Sequence, residues 1–123
     1  MELYDEQTSE VLGHYVICAL WSSTDDDSEP LEKNYNSGHF SKEARRRIRN
    51  ACFDFLVANK ELLSQTELTN EQIGHDFWLT RNGHGTGFWD RGLGEVGDKL
   101  TESCMVVGEC DVYVGDDGEL HVT

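Results

Sequence analysis

An α+β fold in a single domain is what the sequence predicts: three main helices packed on one face of two antiparallel hairpins, which combine into one four-stranded sheet. Apolar residues recur at three- and four-residue steps in three separate stretches, as on one face of a helix. Two further stretches alternate apolar and polar residues around Asn-Gly and Asp-Gly sequences, as hairpins do. Three Trp, five Phe and four Tyr are spread along 123 residues broken by a single Pro, enough to build a core and to argue against a disordered chain. That length corresponds to one domain, residues 1–123.

The first helix is expected from Thr8, an N-cap candidate, to Trp21, with Val11, Leu12, Tyr15, Val16, Ala19 and Leu20 on its buried face. The continuous run Val16 to Trp21 also fits a buried strand. Residues 22–40 follow as an acidic loop, because Ser22 to Glu29 are turn formers and Pro30 cannot continue a helix. A long amphipathic helix is expected from Ser41, another N-cap candidate, to about Leu63, carrying Ala44, Ile48, Ala51, Cys52, Phe55, Leu56, Leu62 and Leu63 on one stripe. Thr69 and Gln72 spell a capping box that should start a short helical turn, with Gly74 ending it.

Phe77 to Arg81 and Gly87 to Asp90 are expected to be the arms of the first hairpin, with Asn82-Gly83-His84-Gly85 at its tip. In that arrangement Phe77 and Leu79 share one face and Trp78 and Thr80 the other. Leu93, Val96, Leu100, Cys104 and Val107 then predict a helix from about Gly92 to Val107. Asp111 to Gly115 and Glu119 to Val122 alternate around Asp116-Asp117-Gly118, the second hairpin.

Charge sets the functional expectations. The chain carries 24 acidic and 10 basic residues, a formal net charge of −14, well beyond the ~2–8 that keeps a small domain soluble. Residues 1–41 hold nine acids against Lys33; residues 42–60 reverse sign through Lys42, Arg45, Arg46, Arg47, Arg49 and Lys60; the remainder is acidic again. Successive arginines on a helix point in different directions and the rest of the chain repels phosphate, so direct nucleic-acid binding is not expected. Pairing of the arginines with acids of the N-terminal block is expected instead.

No apolar run approaches the roughly 18 residues of a membrane span, and the acidic start Met-Glu-Leu-Tyr-Asp-Glu is unlike a secretory signal, so the expected compartment is the cytoplasm. Cys18 and Cys52 sit within helical apolar patterns, where a reduced thiol acts as a small hydrophobe. No cofactor or metal is expected. Cys104, Cys110 and His121 match no zinc spacing, and Asp25 to Glu29 lack the alternating ligands and glycine of a calcium loop. Gly83 to Gly87 lack the lysine of a phosphate-binding loop.

The segment His-Asp-Phe-Trp-Leu-Thr-Arg-Asn-Gly-His-Gly-Thr-Gly-Phe-Trp-Asp-Arg-Gly, residues 75–92, resembles a motif carried by a family of small proteins encoded by bacteriophages and mobile elements. The likeness extends to Ala19 to Asp26 and to Val112 to Gly118. It implies an origin in a phage or mobile element, in the cytoplasm of a bacterial host, and a role in interfering with host machinery; it implies no particular activity.

Two functions follow as expectations. The first is an acidic binding protein whose surface imitates DNA and occupies the groove of a basic host protein such as a nuclease, a restriction or CRISPR-type effector, or a polymerase. Its partner-binding residues would be Asp25, Asp26, Asp27, Glu29, Asp116, Asp117 and Glu119. The alternative is a small hydrolytic or transferase-like enzyme using His75, Asp76, Arg81, His84 and Asp90. A structural role for the same segment puts Trp78, Phe88 and Trp89 in the core and pairs Arg81 with Asp76 or Asp90.

Overall fold

A computed structural model describes residues 6–25, 27–83 and 87–123. Over these residues the chain forms five α-helices and one short hairpin: α1 (Glu6–Ser22), α2 (Lys42–Ala58), α3 (Lys60–Ser64), α4 (Asn70–Arg81), α5 (Glu95–Val107), β1 (Val112–Val114) and β2 (Leu120–Val122). Three single 3-10 turns fill connections at Leu31–Lys33, Ser37–His39 and Phe88–Asp90. The α+β expectation of a four-stranded sheet under three helices is therefore overturned. Among the described residues the fold is mostly helical, and its one sheet is the two-stranded pair β1–β2.

The first expected hairpin does not form. Phe77 to Arg81 are the second half of α4, and Phe88–Asp90 is a 3-10 turn. The capping box at Thr69 and Gln72 closes as expected, with both reciprocal hydrogen bonds present, but the helix it starts runs through Gly74 to Arg81. Gly74 does not end α4; it lets α1 come close. A Cβ there would lie 2.4 Å from the Val11 carbonyl oxygen and 2.8 Å from the Tyr15 amide nitrogen. The α1–α4 pair is the most extensive contact in the molecule.

Helix α2 begins as expected, the Ser41 hydroxyl accepting from the Ala44 amide at 3.0 Å. It breaks at Asn59, short of Leu63. The buried Asn59 side chain donates to the Phe55 carbonyl and, at 2.8 Å, to the Ser103 hydroxyl on α5, so local side-chain bonding replaces a continuous helix and tethers the break to a neighbour. The expected acidic loop 22–40 is closed by a bridge between Thr24 and Pro30 and contains two of the 3-10 turns. The second hairpin forms as expected, with Val112 opposite Val122 and Val114 opposite Leu120, and Gly118 at φ 80° in its turn.

One hydrophobic core joins these elements. Phe55 of α2 stacks on Phe77 of α4 with ring centroids 4.2 Å apart and on Phe88 at 5.7 Å; Tyr15 of α1 meets both Phe77 and Trp78 at 5.4 Å. The Trp78 indole N–H donates to the Ser22 hydroxyl at 2.7 Å. Trp78 and Phe88 are buried as the structural role of the segment requires, whereas Trp89 is half exposed. β2 docks through Phe40, which bridges Leu120, and through the Ser41 amide, which donates to the Leu120 carbonyl. No helix among the described residues is long and apolar enough to cross a membrane.

Candidate functional site

Asp76 lies on the buried side of α4, where an unpaired carboxylate would be costly. Arg91, just past the 3-10 turn, satisfies it with two hydrogen bonds, from Nε to Oδ2 and from Nη2 to Oδ1, the latter 3.0 Å long. The bidentate geometry is the strong form of the Arg–carboxylate contact. The Asp76 hydrogen bond, more than any other influence, holds the Arg91 guanidinium above its already high ordinary pKa. Around this pair a cleft of about 310 Å³ opens, lined by His75, Leu79, Gly87 and Asp90 as well. Thus His75, Asp76 and Asp90 of the expected catalytic set do meet.

Arg81 does not join them. It turns into the core, where its Nε donates to the Gly108 carbonyl at 2.7 Å, its Nη1 donates to the Tyr15 hydroxyl at 3.0 Å and its guanidinium lies 5.5 Å from the Phe77 ring centroid. The expected pairing of Arg81 with Asp76 or Asp90 is replaced by Arg91 with Asp76. Burial pushes the Tyr15 phenol well above its ordinary pKa, so it serves Arg81 as a neutral acceptor. His84 lies outside the described residues.

The seven expected partner-binding acids divide. Asp25 Oδ1 accepts from the amides of Asp27 and Glu29 and so shapes its own loop. Glu29 pairs with Lys33 at 3.2 Å. Asp117 accepts from the Glu119 amide and lies 3.0 Å from His121 Nε2; the His121 bond first, and the Glu119 amide second, hold its carboxyl below the usual range. Asp27, Asp116 and Glu119 are exposed, and Asp26 lies outside the described residues.

Two of the α2 arginines, Arg45 and Arg47, bond backbone carbonyls and not the N-terminal acids expected of them. Arg45 donates to the Phe40 and Gly38 carbonyls, Arg47 to the Val122 carbonyl, and Arg46 bonds Glu43 on its own helix. Those side chains act as struts between α2 and its neighbours. Most of the acidic charge accordingly stays on the surface: among the described carboxylates, Asp76 alone is buried.

Four cysteines are buried and unbridged. Burial pushes the Cys18 thiol to about 11 and those of Cys52 and Cys104 to about 12, so these three thiols stay protonated at neutral pH.

Three features escaped the sequence. Arg91 was legible only as one residue of the motif at 75–92. Glu95, Asp98 and Glu102 are exposed on α5 at helical spacing, a second acidic face beside the expected ones. His14 lies against His75 across the α1–α4 contact, signalled by a Glu-x-x-Gly-His phrase that occurs at both 10–14 and 71–75. No protein-family model, no curated protein and no solved structure matches the chain.

Proposed function

We propose that the chain is an acidic binding protein of phage or mobile-element origin that acts in the cytoplasm of a bacterial host, presenting a DNA-like surface to a basic nucleic-acid-acting protein and inhibiting it. The observation that carries this is where the arginines go. Arg45 and Arg47 bond backbone carbonyls, so these two form hydrogen-bonded struts and not ion pairs with the acidic flanks. Exposed carboxylates in the Asp27 loop, at the Asp116–Glu119 turn and along Glu95, Asp98 and Glu102 of α5 then present a negative field to a basic groove.

Affinity capture from nuclease-treated bacterial lysate tests it. At about 50 mM NaCl the chain should retain a basic nucleic-acid-acting protein, and at about 0.5 M NaCl release it, because contacts between exposed charges are screened. A D27K/D116K/E119K variant should lose at least tenfold in recovery; equal recovery by that variant would remove those positions from the interface. Inhibition of the captured protein, reversed by excess DNA, is the expected functional readout.

A second function, a small hydrolytic or transferase-like enzyme, has the cleft at His75 and Asp90 in its favour. Arg81 lies in the core, and among the described residues of the candidate set His75, Asp76 and Asp90 line that cleft.

A further inference from the structure

Helix α1 is apolar on two sides. One side, which includes Val11 and Tyr15, meets α4. The other carries Leu12, Val16 and Leu20 four residues apart, with Ile17 beside them, and lines a groove of about 680 Å³. Phe40 and Ile48 of α2 add to its apolar lining, and Ser37 and Gly38 border it from the 3-10 turn. Ile17 is 54% exposed, so this second apolar side is only partly covered. Gly13 lines the same groove, and nothing lies within 4 Å of a Cβ added to it.

The charge of the groove is opposite to that of the chain. Arg45 and Arg49, one turn apart on α2, both line it, and no carboxylate does. Arg45 is held in place by two backbone carbonyls, its Nε donating to Phe40 at 3.1 Å and its Nη2 to Gly38 at 2.9 Å. Those carbonyls orient the guanidinium without neutralising it, and among the described residues no carboxylate pairs with Arg45. The chain has 24 acids against 10 bases, so this cation does not lack a counter-ion for want of carboxylates.

We propose that the groove binds a free single-chain aliphatic carboxylate of about twelve carbons, its head on Arg45 and its chain along α1. Small-ligand pockets run from about 300 to 1,000 Å³ and pair an apolar lining with a few fixed polar groups, which is the make-up found here. From Ser9 to Leu20, the ends of the α1 lining, the helix advances about 16 Å, close to the length of an extended chain of about twelve carbons. One charged end suffices, because the cationic lining is confined to Arg45 and Arg49. A guanidinium takes a carboxylate through parallel hydrogen bonds, and one already oriented loses little freedom in making them. The groove uses none of the acids assigned to partner capture, so the two proposals fail independently.

Calorimetric titration of the full chain with sodium laurate, below its micelle concentration and at about pH 7.5, tests this. Saturable one-to-one binding is expected by about 1 mM laurate. G13L fills open space in the groove and should weaken binding at least tenfold, with a thermal midpoint no lower than that of the parent chain because leucine is the better helix former. R45Q should weaken binding about tenfold by removing the charged fork. Absence of saturable binding, or equal affinity in G13L, would overturn the proposal. Equal affinity in R45Q would overturn it as well, since the carboxylate would then have no partner at Arg45. Binding to phosphatidylglycerol vesicles without binding of laurate would give the groove to a lipid surface instead, and also overturn it.

Discussion

The Asp76–Arg91 pair shows how one ion pair can have unequal halves. Asp76 has a side chain only 4% exposed, whereas that of Arg91 is 32% exposed. Removing the arginine strands a carboxylate that water barely reaches, at a cost of about 3–5 kcal/mol. Removing the aspartate leaves a guanidinium that can reorient into solvent, at a cost of about 1–2 kcal/mol. R91A should therefore lower the urea midpoint clearly more than D76A, with the denaturant slope unchanged in both. Equal losses would mean that Asp76 finds another donor or water. The residue type at position 76 was readable as important from the sequence, but its partner was not. Asp76 has Arg81 five residues ahead and Arg91 fifteen ahead, and only the course of the chain after α4 decides between them.

At the scale of elements, legibility followed locality. Ser41, Thr69 and the Asp116-Asp117-Gly118 turn carry local chemistry that acts whatever surrounds it, and each does what its sequence predicts. Helix α4 fails that test. It is covered on several sides, with Ile73, Gly74, Asp76, Phe77, Trp78, Thr80 and Arg81 all buried. A helix wrapped by neighbours shows no single apolar stripe, and its aromatic-rich run imitates the alternation of a strand. The same burial explains why the candidate site was half legible: His75 and Asp90 are brought together by α4 and the turn after it, while Arg81, expected beside Asp76 or Asp90, turns into the core.

Two glycines turn this into a measurement. Gly13 sits on the outer face of α1 with nothing within 4 Å of an added Cβ, so G13A should stabilise by about 0.5–1 kcal/mol through helix propensity. Gly74 meets α1 backbone inside van der Waals distance, so G74A must push the helices apart and should cost roughly 3 kcal/mol. The two variants should move the thermal midpoint in opposite directions. Were G74A also stabilising, the α1–α4 contact could not be as close as described.

For the molecule as a whole, charge makes stability and binding respond to salt with opposite signs. The pairs Lys33–Glu29 and Arg46–Glu43 lie in solvent, where ion pairs contribute little, so screening them removes little. The Asp76–Arg91 pair is largely shielded from added ions. Against these stand unpaired surface carboxylates in a chain of net charge −14, whose mutual repulsion opposes the compact state. Raising NaCl from about 10 mM to about 0.2 M shortens the screening length from roughly 30 Å to below 10 Å, which quiets that repulsion. The thermal midpoint should rise by a few degrees over that interval and then level off, with chloride as the anion because sulfate would add its own effect on apolar burial. Capture of a basic partner should weaken over the same interval. A protein whose acidity is an adaptation to brine would instead be unfolded at low salt and gain stability into the molar range. A midpoint that is high at about 10 mM NaCl and flat above about 0.2 M therefore excludes salt adaptation and leaves the exposed carboxylates to be explained by what they bind.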